Sequence, residues 1–128
     1  MADQPLILIV DDEANFREIF SMKLKNAGYR VETADGGEQG IEKAKSLKPN
    51  LVLMDVNMPG MDGAAAVLKL RDDPATKDMK VAFLTSLGDP HREMQDLNIK
   101  FSEGFGAQGY LKKTDDLDLL VEKIKSFL

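Results

Sequence analysis

The stretch from Leu51 to Gly63 constrains this chain more than any other. Four apolar residues, Leu51-Val52-Leu53-Met54, run straight into a carboxylate, Asp55. The run is short and does not alternate with polar residues. That is the pattern of a strand buried on both faces, as in parallel sheets covered by helices. Pro59 and Gly60 then force a turn, and Asp62 stands where an N-cap would open a helix near Gly63. In an open parallel sheet, ligands bind at the carboxyl ends of the strands. Asp55 falls at such an end, although taken alone an Asp there is equally a turn residue.

The same unit recurs along the chain. Leu6 to Val10 is another unalternated run, and it ends in Asp11-Asp12-Glu13. Phe16, Ile19, Phe20, Leu24 and Ala27 then fall on one helical stripe, with Gly28 at C′. Tyr29 to Ala34 alternates loosely and reads as a strand. Asp35-Gly36-Gly37 turns into a helix whose inner face is Ile41, Ala44 and Leu47, and Pro49 ends it. After Gly63, Ala64 to Arg71 is rich in helix formers until Asp72-Asp73-Pro74 breaks the pattern. Val81-Ala82-Phe83-Leu84 is a fourth strand, ending in Thr85-Ser86. Gly88-Asp89-Pro90 opens a helix lined by Met94, Leu97, Phe101 and Phe105 and closed by Gly104 and Gly106. Gly109-Tyr110-Leu111 is a short fifth strand running into Lys112-Lys113. Thr114 or Asp115 then caps a last helix with Leu117, Leu120, Val121, Ile124 and Leu128 on one face. Strands alternating with helices at short spacing make this an α/β chain of (βα)₅ pattern. The expected architecture is a doubly wound, five-stranded parallel sheet of order 2-1-3-4-5.

Composition narrows the function classes. At 128 residues, one domain spanning 1–128 is the natural reading. The chain has no Cys, which excludes disulfides and thiolate metal sites. Its net charge of -5 and absence of a Lys/Arg run argue against direct nucleic-acid binding. The apolar run Leu6 to Val10 is too short for a signal peptide or a membrane span, so the default expectation is a cytoplasmic protein without a membrane role.

The strand ends share one rim of a parallel sheet. In the order 2-1-3-4-5, the first and third strands are neighbours at the switch point. Asp11, Asp12 and Asp55 therefore converge, flanked by a hydroxyl of Thr85-Ser86 and by an ammonium of Lys112-Lys113. Three clustered carboxylates repel and need a cation or a proton. A hard cation with oxygen ligands, Mg²⁺ above all, answers that need. A strand-end Asp beside such a cation suits phosphoryl chemistry, with the Asp oxygen attacking in line.

In these residues the sequence resembles the receiver domains of two-component response regulators, along essentially its whole length. Asp55 lies at the phosphoacceptor position of a D-x-x-M-P-x-M-D-G segment, and Asp11 and Asp12 match the acidic metal-binding pair. Asn57 matches the residue that gives a main-chain carbonyl to the metal. Thr85 matches the switch hydroxyl, Tyr110 the switch aromatic and Lys113 the lysine of the site. The resemblance implies a flavodoxin-like fold, Mg²⁺ or Mn²⁺ as cofactor, and phosphorylation of Asp55 by a sensor histidine kinase or a histidine phosphotransfer protein. It further implies a module resembling the single-domain chemotaxis regulators, standing alone or as part of a longer chain. Such a module catalyses only its own phosphorylation and dephosphorylation. It meets a downstream protein through the helix after the fourth strand, the fifth strand and the last helix.

Two features depart from the family pattern. Thr114 follows the lysine where Pro is usual, and since a non-Pro cis bond costs about 2.5–4 kcal/mol a trans link is expected. The segment from Thr85 to Lys113 is also several residues longer than usual. Competing classes lack their own marks. A dehalogenase-type phosphatase would want a second Asp where Asn57 stands, and a flavodoxin would carry a Ser/Thr-rich phosphate loop after the first strand. A pseudo-receiver would have lost the acceptor or the acidic pair. His91, the single histidine, reads as a solvated residue in a helix's first turn, and the methionines read as core and loop packing.

Overall fold

The computed structural model describes residues 4–85 and 107–128. Five parallel strands form one sheet: β1 (Leu6–Val10), β2 (Arg30–Ala34), β3 (Leu51–Asp55), β4 (Val81–Thr85) and β5 (Gly109–Lys112). Their order is β2-β1-β3-β4-β5, the expected flavodoxin-like α/β topology. The connections carry α1 (Ala14–Asn26), α2 (Gly37–Leu47) and α3 (Gly63–Arg71), and the chain closes with a C-terminal helix, Leu117–Phe127. None of these helices is long and apolar enough to cross a membrane. The helix expected from Gly88 to Phe105, with His91, lies outside the described residues.

Strand alternation divides the core into two layers. Leu8, Val10, Val52, Met54 and Phe83 pack with Ile41 and Ala44 of α2 and Ala66, Val67 and Leu70 of α3. Ile7, Ile9, Leu53, Leu84 and Leu111 pack on the other face with Phe20 and Leu24 of α1 and Leu120 and Ile124 of the C-terminal helix. All five residues of β1, β3 and β4 are buried, which is why those runs do not alternate.

Helix ends follow local chemistry where the chain offers it. Gly28 follows the α1 C-cap with φ at +101°, a left-handed conformation that costs glycine nothing. Asp62 caps α3 by accepting the Ala65 N–H at 2.8 Å. The C-terminal helix is capped by Asp116 rather than Thr114 or Asp115: the Asp116 carboxylate accepts the Asp118 N–H at 2.8 Å. Any of three adjacent polar residues could have filled that role, and the length of the turn after β5 selects the third.

The stripes are narrower than periodicity implies. Ile19 is 56% exposed and Leu47 40%, and Ala27 and Leu128 also face solvent. Each helix touches the sheet along one line, so residues on the flanks of an apolar stripe stay wet. Met54 and Met58 are core, whereas Met22 is exposed.

Candidate functional site

Strand register builds the site. Val10 pairs with Met54, so Asp11 and Asp55, one residue further on, emerge side by side at the switch point. Asp55 pairs with Leu84, and Thr85 with Lys112, so Thr85 and Lys113 complete the rim. Asp11, Asp55 and Lys113 each follow by two a residue of the layer under α1: Ile9, Leu53 and Leu111. Period-two alternation therefore aims all three toward α1.

The loops hold these side chains in place. Asp11 Oδ1 accepts the Glu13 N–H at 2.8 Å, and Arg17 donates to the Asp11 carbonyl at 2.6 Å. Asp55 Oδ1 accepts the Asn57 N–H at 3.2 Å. Gly63 closes the loop after β3 by donating to the Val56 carbonyl at 3.1 Å. A Cβ on Gly63 would stand 2.3 Å from the Asp55 carbonyl oxygen, so the close backbone approach requires glycine at position 63. The Lys113 N–H donates to the Thr85 carbonyl at 2.8 Å, which ties β5 to the end of β4. No peptide bond among the described residues is cis, so the Lys113–Thr114 link is trans as expected.

Charge is concentrated where water is scarce. Asp11 is fully buried, and Asp55 and Thr85 are each 2% exposed, while Asp12 faces solvent. The Lys113 side chain, 5% exposed, lies 2.8 Å from Asp11 Oδ2 and 3.7 Å from Asp55 Oδ2. It also donates to Glu13 Oε1 and stands 4.7 Å above the centre of the Phe16 ring. One ammonium thus serves several carboxylates. Burial, then the Asp11 charge, push the Asp55 carboxyl up to about 7, although Lys113 and the Asn57 N–H pull the other way. Burial works against the charge on Lys113, but its contacts with Asp11 and Glu13 and the field of Asp55 outweigh it and hold its pKa above the ordinary value.

Asp11, Asp12 and Asp55 each offer a carboxylate oxygen, all within 4.8 Å of one another. Asp11 Oδ2 is buried, and its contact with Lys113 is an ion pair without hydrogen-bond geometry; it has no hydrogen-bond partner among the described residues. Three carboxylates sharing one ammonium, with one carboxyl pushed toward neutrality, mark a place short of positive charge. An all-oxygen donor set with one solvent-facing member fits a hard divalent cation.

Each residue singled out by sequence on the described rim lies at this site or beside it. Lys113 rather than Lys112 reaches the carboxylates. Asn57 is exposed and joined to Asp55 through its N–H. Tyr110 is half-buried on β5 against the layer that holds Phe83, its register partner. Sequence reasoning gave no role to Glu13 or Phe16, both of which touch Lys113. Proximity of Glu13 to the acidic pair was the one available signal.

The chain matches the family model of the response regulator receiver domain over residues 7–125. It is 35% identical over 124 residues to the DNA-binding dual master transcriptional regulator RpaA of Synechocystis, covering 97% of this chain and 49% of that protein. It is 37% identical over 121 residues to response regulator PleD of Caulobacter vibrioides, covering 94% of this chain and 25% of PleD. The chain thus spans half or less of the length of these relatives. Among solved structures it is similar to chemotaxis protein CheY4 of Vibrio cholerae, with a TM-score of 0.84, 30% identity and coverage of 98% and 99% of the two chains. It is also similar to response regulator protein TrrA of Thermotoga maritima in complex with Mg²⁺-BeF, with a TM-score of 0.80, 33% identity and coverage of 98% and 100%. With the order of its strands, the acidic cluster at their ends and a family match along nearly its full length, the chain belongs to the response regulator receiver domains of two-component systems.

Proposed function

We propose that this chain is a Mg²⁺-dependent phosphoacceptor. Asp55 takes a phosphoryl group from a phosphohistidine on a sensor histidine kinase or a histidine phosphotransfer protein, and the modified domain presents an altered protein-binding surface. The observation that carries this reading is the convergence of Asp11, Asp12 and Asp55 beside one buried ammonium. The Mg²⁺-BeF complex of the similar protein TrrA supports it.

The carboxylates of Asp11, Asp12 and Asp55, with the main-chain carbonyl of Asn57, would hold the cation. When bound, Mg²⁺ or Mn²⁺ supplies positive charge that offsets the carboxylates and the phosphoryl oxygens. Asp55 is the nucleophile. One of its oxygens forms a bond to phosphorus as the phosphorus–nitrogen bond of the donor breaks, and the leaving imidazole keeps the electron pair and takes up a proton. Lys113 pairs with a phosphoryl oxygen. The Thr85 hydroxyl donates to another once the end of β4 draws inward, and Tyr110 turns into the space vacated. That is a population shift between two packings. Its readout is the face of β5, the C-terminal helix and the segment between β4 and β5. The domain acts on no other substrate, and the acyl phosphate is discharged by hydrolysis: a water oxygen bonds to phosphorus as the Asp55 oxygen–phosphorus bond breaks, releasing inorganic phosphate and restoring the carboxylate. Such a donor places it in the cytoplasm, acting through proteins, with no direct contact to membrane or nucleic acid.

Intact-mass measurement after incubation with acetyl phosphate and Mg²⁺ tests the reading. The protein should gain one alkali-labile phosphoryl group. EDTA or Asp55→Asn should abolish it, and Thr85→Ala should still accept it. An alkali-stable adduct on Thr85 or Ser86 would overturn the assignment.

A further inference from the structure

Glu13 is the N-cap residue of α1, yet its side chain caps nothing. Its N–H is pinned to Asp11 Oδ1 at 2.8 Å, which fixes its backbone on the rim of the site. Its carboxylate, 57% exposed, instead accepts a hydrogen bond from Lys113 Nζ. The partners of Lys113 thus divide into two kinds. Asp11 and Asp55 belong to the oxygen cluster that could hold a cation, and Glu13 does not. Phe16 places its ring under the same ammonium at 4.7 Å, so Lys113 is held from several sides.

A phosphoryl group on Asp55 adds up to about two negative charges and three acceptor oxygens. Lys113 must turn to it, and the bond to Glu13 is then lost or shared. A cation bound by the oxygen cluster offsets Asp11, Asp12 and Asp55, whereas Lys113 is the cation that pairs with the Glu13 carboxylate among the described residues. That carboxylate is left facing an anion. We infer that Glu13 sets how firmly this site accepts a phosphoryl group, by holding Lys113 in the unmodified state and repelling the anion in the modified one. Both effects favour the unmodified state, so the residue acts as a brake. Glu13 touches Lys113 rather than the reacting atoms, and it is a positioning residue. The inference rests on the phosphoacceptor reading above.

The test is calorimetric titration of the full chain with beryllofluoride, a phosphoryl mimic, in the presence of Mg²⁺. Glu13→Gln keeps the size of the side chain and removes its charge. Removing a half-exposed ion pair and a repulsion should tighten beryllofluoride binding about threefold to tenfold. The gain should shrink as NaCl is raised, because an exposed carboxylate is screened. Glu18→Gln, an equal charge change on the exposed surface of α1, should leave the affinity unchanged. A purely structural role for Glu13 predicts a loss of affinity, never a gain, and Glu13→Ser gives a second reading should the Gln variant fold poorly. If the wild type binds and Glu13→Gln binds equally or more weakly, the inference is overturned and the phosphoacceptor reading stands. If the wild type binds no better than Asp55→Asn, both fall together.

Discussion

On either face of the sheet, Ile7, Leu8, Ile9, Leu53 and Met54 are sealed from water within two apolar clusters. One residue past β1, and at the last position of β3, Asp11 and Asp55 are buried almost as completely, with carboxyl side chains. The layers gain stability from every group they bury. At the rim, two buried carboxylates and a solvent-facing third share one buried ammonium, and the arrangement costs stability unless something else arrives. A fold can hold such a deficit only where the surrounding packing is secure. The contrast therefore separates the part of the molecule that keeps it folded from the part that gives it work to do.

Three substitutions sharpen the contrast, in order of expected size. Phe20 is fully buried and packs 5.3 Å from Phe16, so Phe20→Ala should lose about 3–5 kcal/mol in urea denaturation. Asp55→Asn should do the reverse. The Asp55 carboxyl is raised from 3.8 to about 7 in the folded protein, which therefore holds its proton longer than the unfolded chain does. Its stabilising contribution is complete below about pH 4 and is lost as pH rises through about 7. At pH 8 without metal, Asn should then be more stable than Asp by about 2–4 kcal/mol, and the difference should narrow steadily toward pH 4. Adding Mg²⁺ should stabilise the wild type and leave Asp55→Asn nearly unmoved. Equal stability of the two proteins at pH 8 would mean that the rim carries no deficit. Smallest is Asp62→Ala, which removes the cap of α3 without touching either region and should cost about 1 kcal/mol at every pH from 5 to 8.

The layers were legible in the sequence because they follow from local pattern. Unalternated runs at Leu6–Val10, Leu51–Met54 and Val81–Leu84 can be satisfied only by burial on both faces, and that requirement forces helices onto both sides. The acidic cluster was legible for a related reason. Each run ends in a polar residue, and parallel strands put those ends on one rim. Asp11, Asp12 and Asp55 followed from topology, as did the pairs Thr85-Ser86 and Lys112-Lys113, and the family resemblance chose Thr85 and Lys113 from those pairs and gave all of them roles.

Period and polarity, which are properties of a few neighbouring positions, set the strands and the residues at their ends, and the short alternation of strands with helices set their expected order. The packed fold settles which flank of each helix stays wet, as at Ile19 and Leu47, because that depends on the line along which a helix meets the sheet. It alone chose Asp116 over Thr114 and Asp115 as a cap, because the path out of β5 sets where the helix can start. It alone joined Glu13 to Lys113, 100 positions apart, because the reach of a lysine across a twisted sheet is not written in either neighbourhood. Charge pairing is a long-range matter, and the raised pKa of Asp55 follows from how deeply the fold buries it beside Asp11.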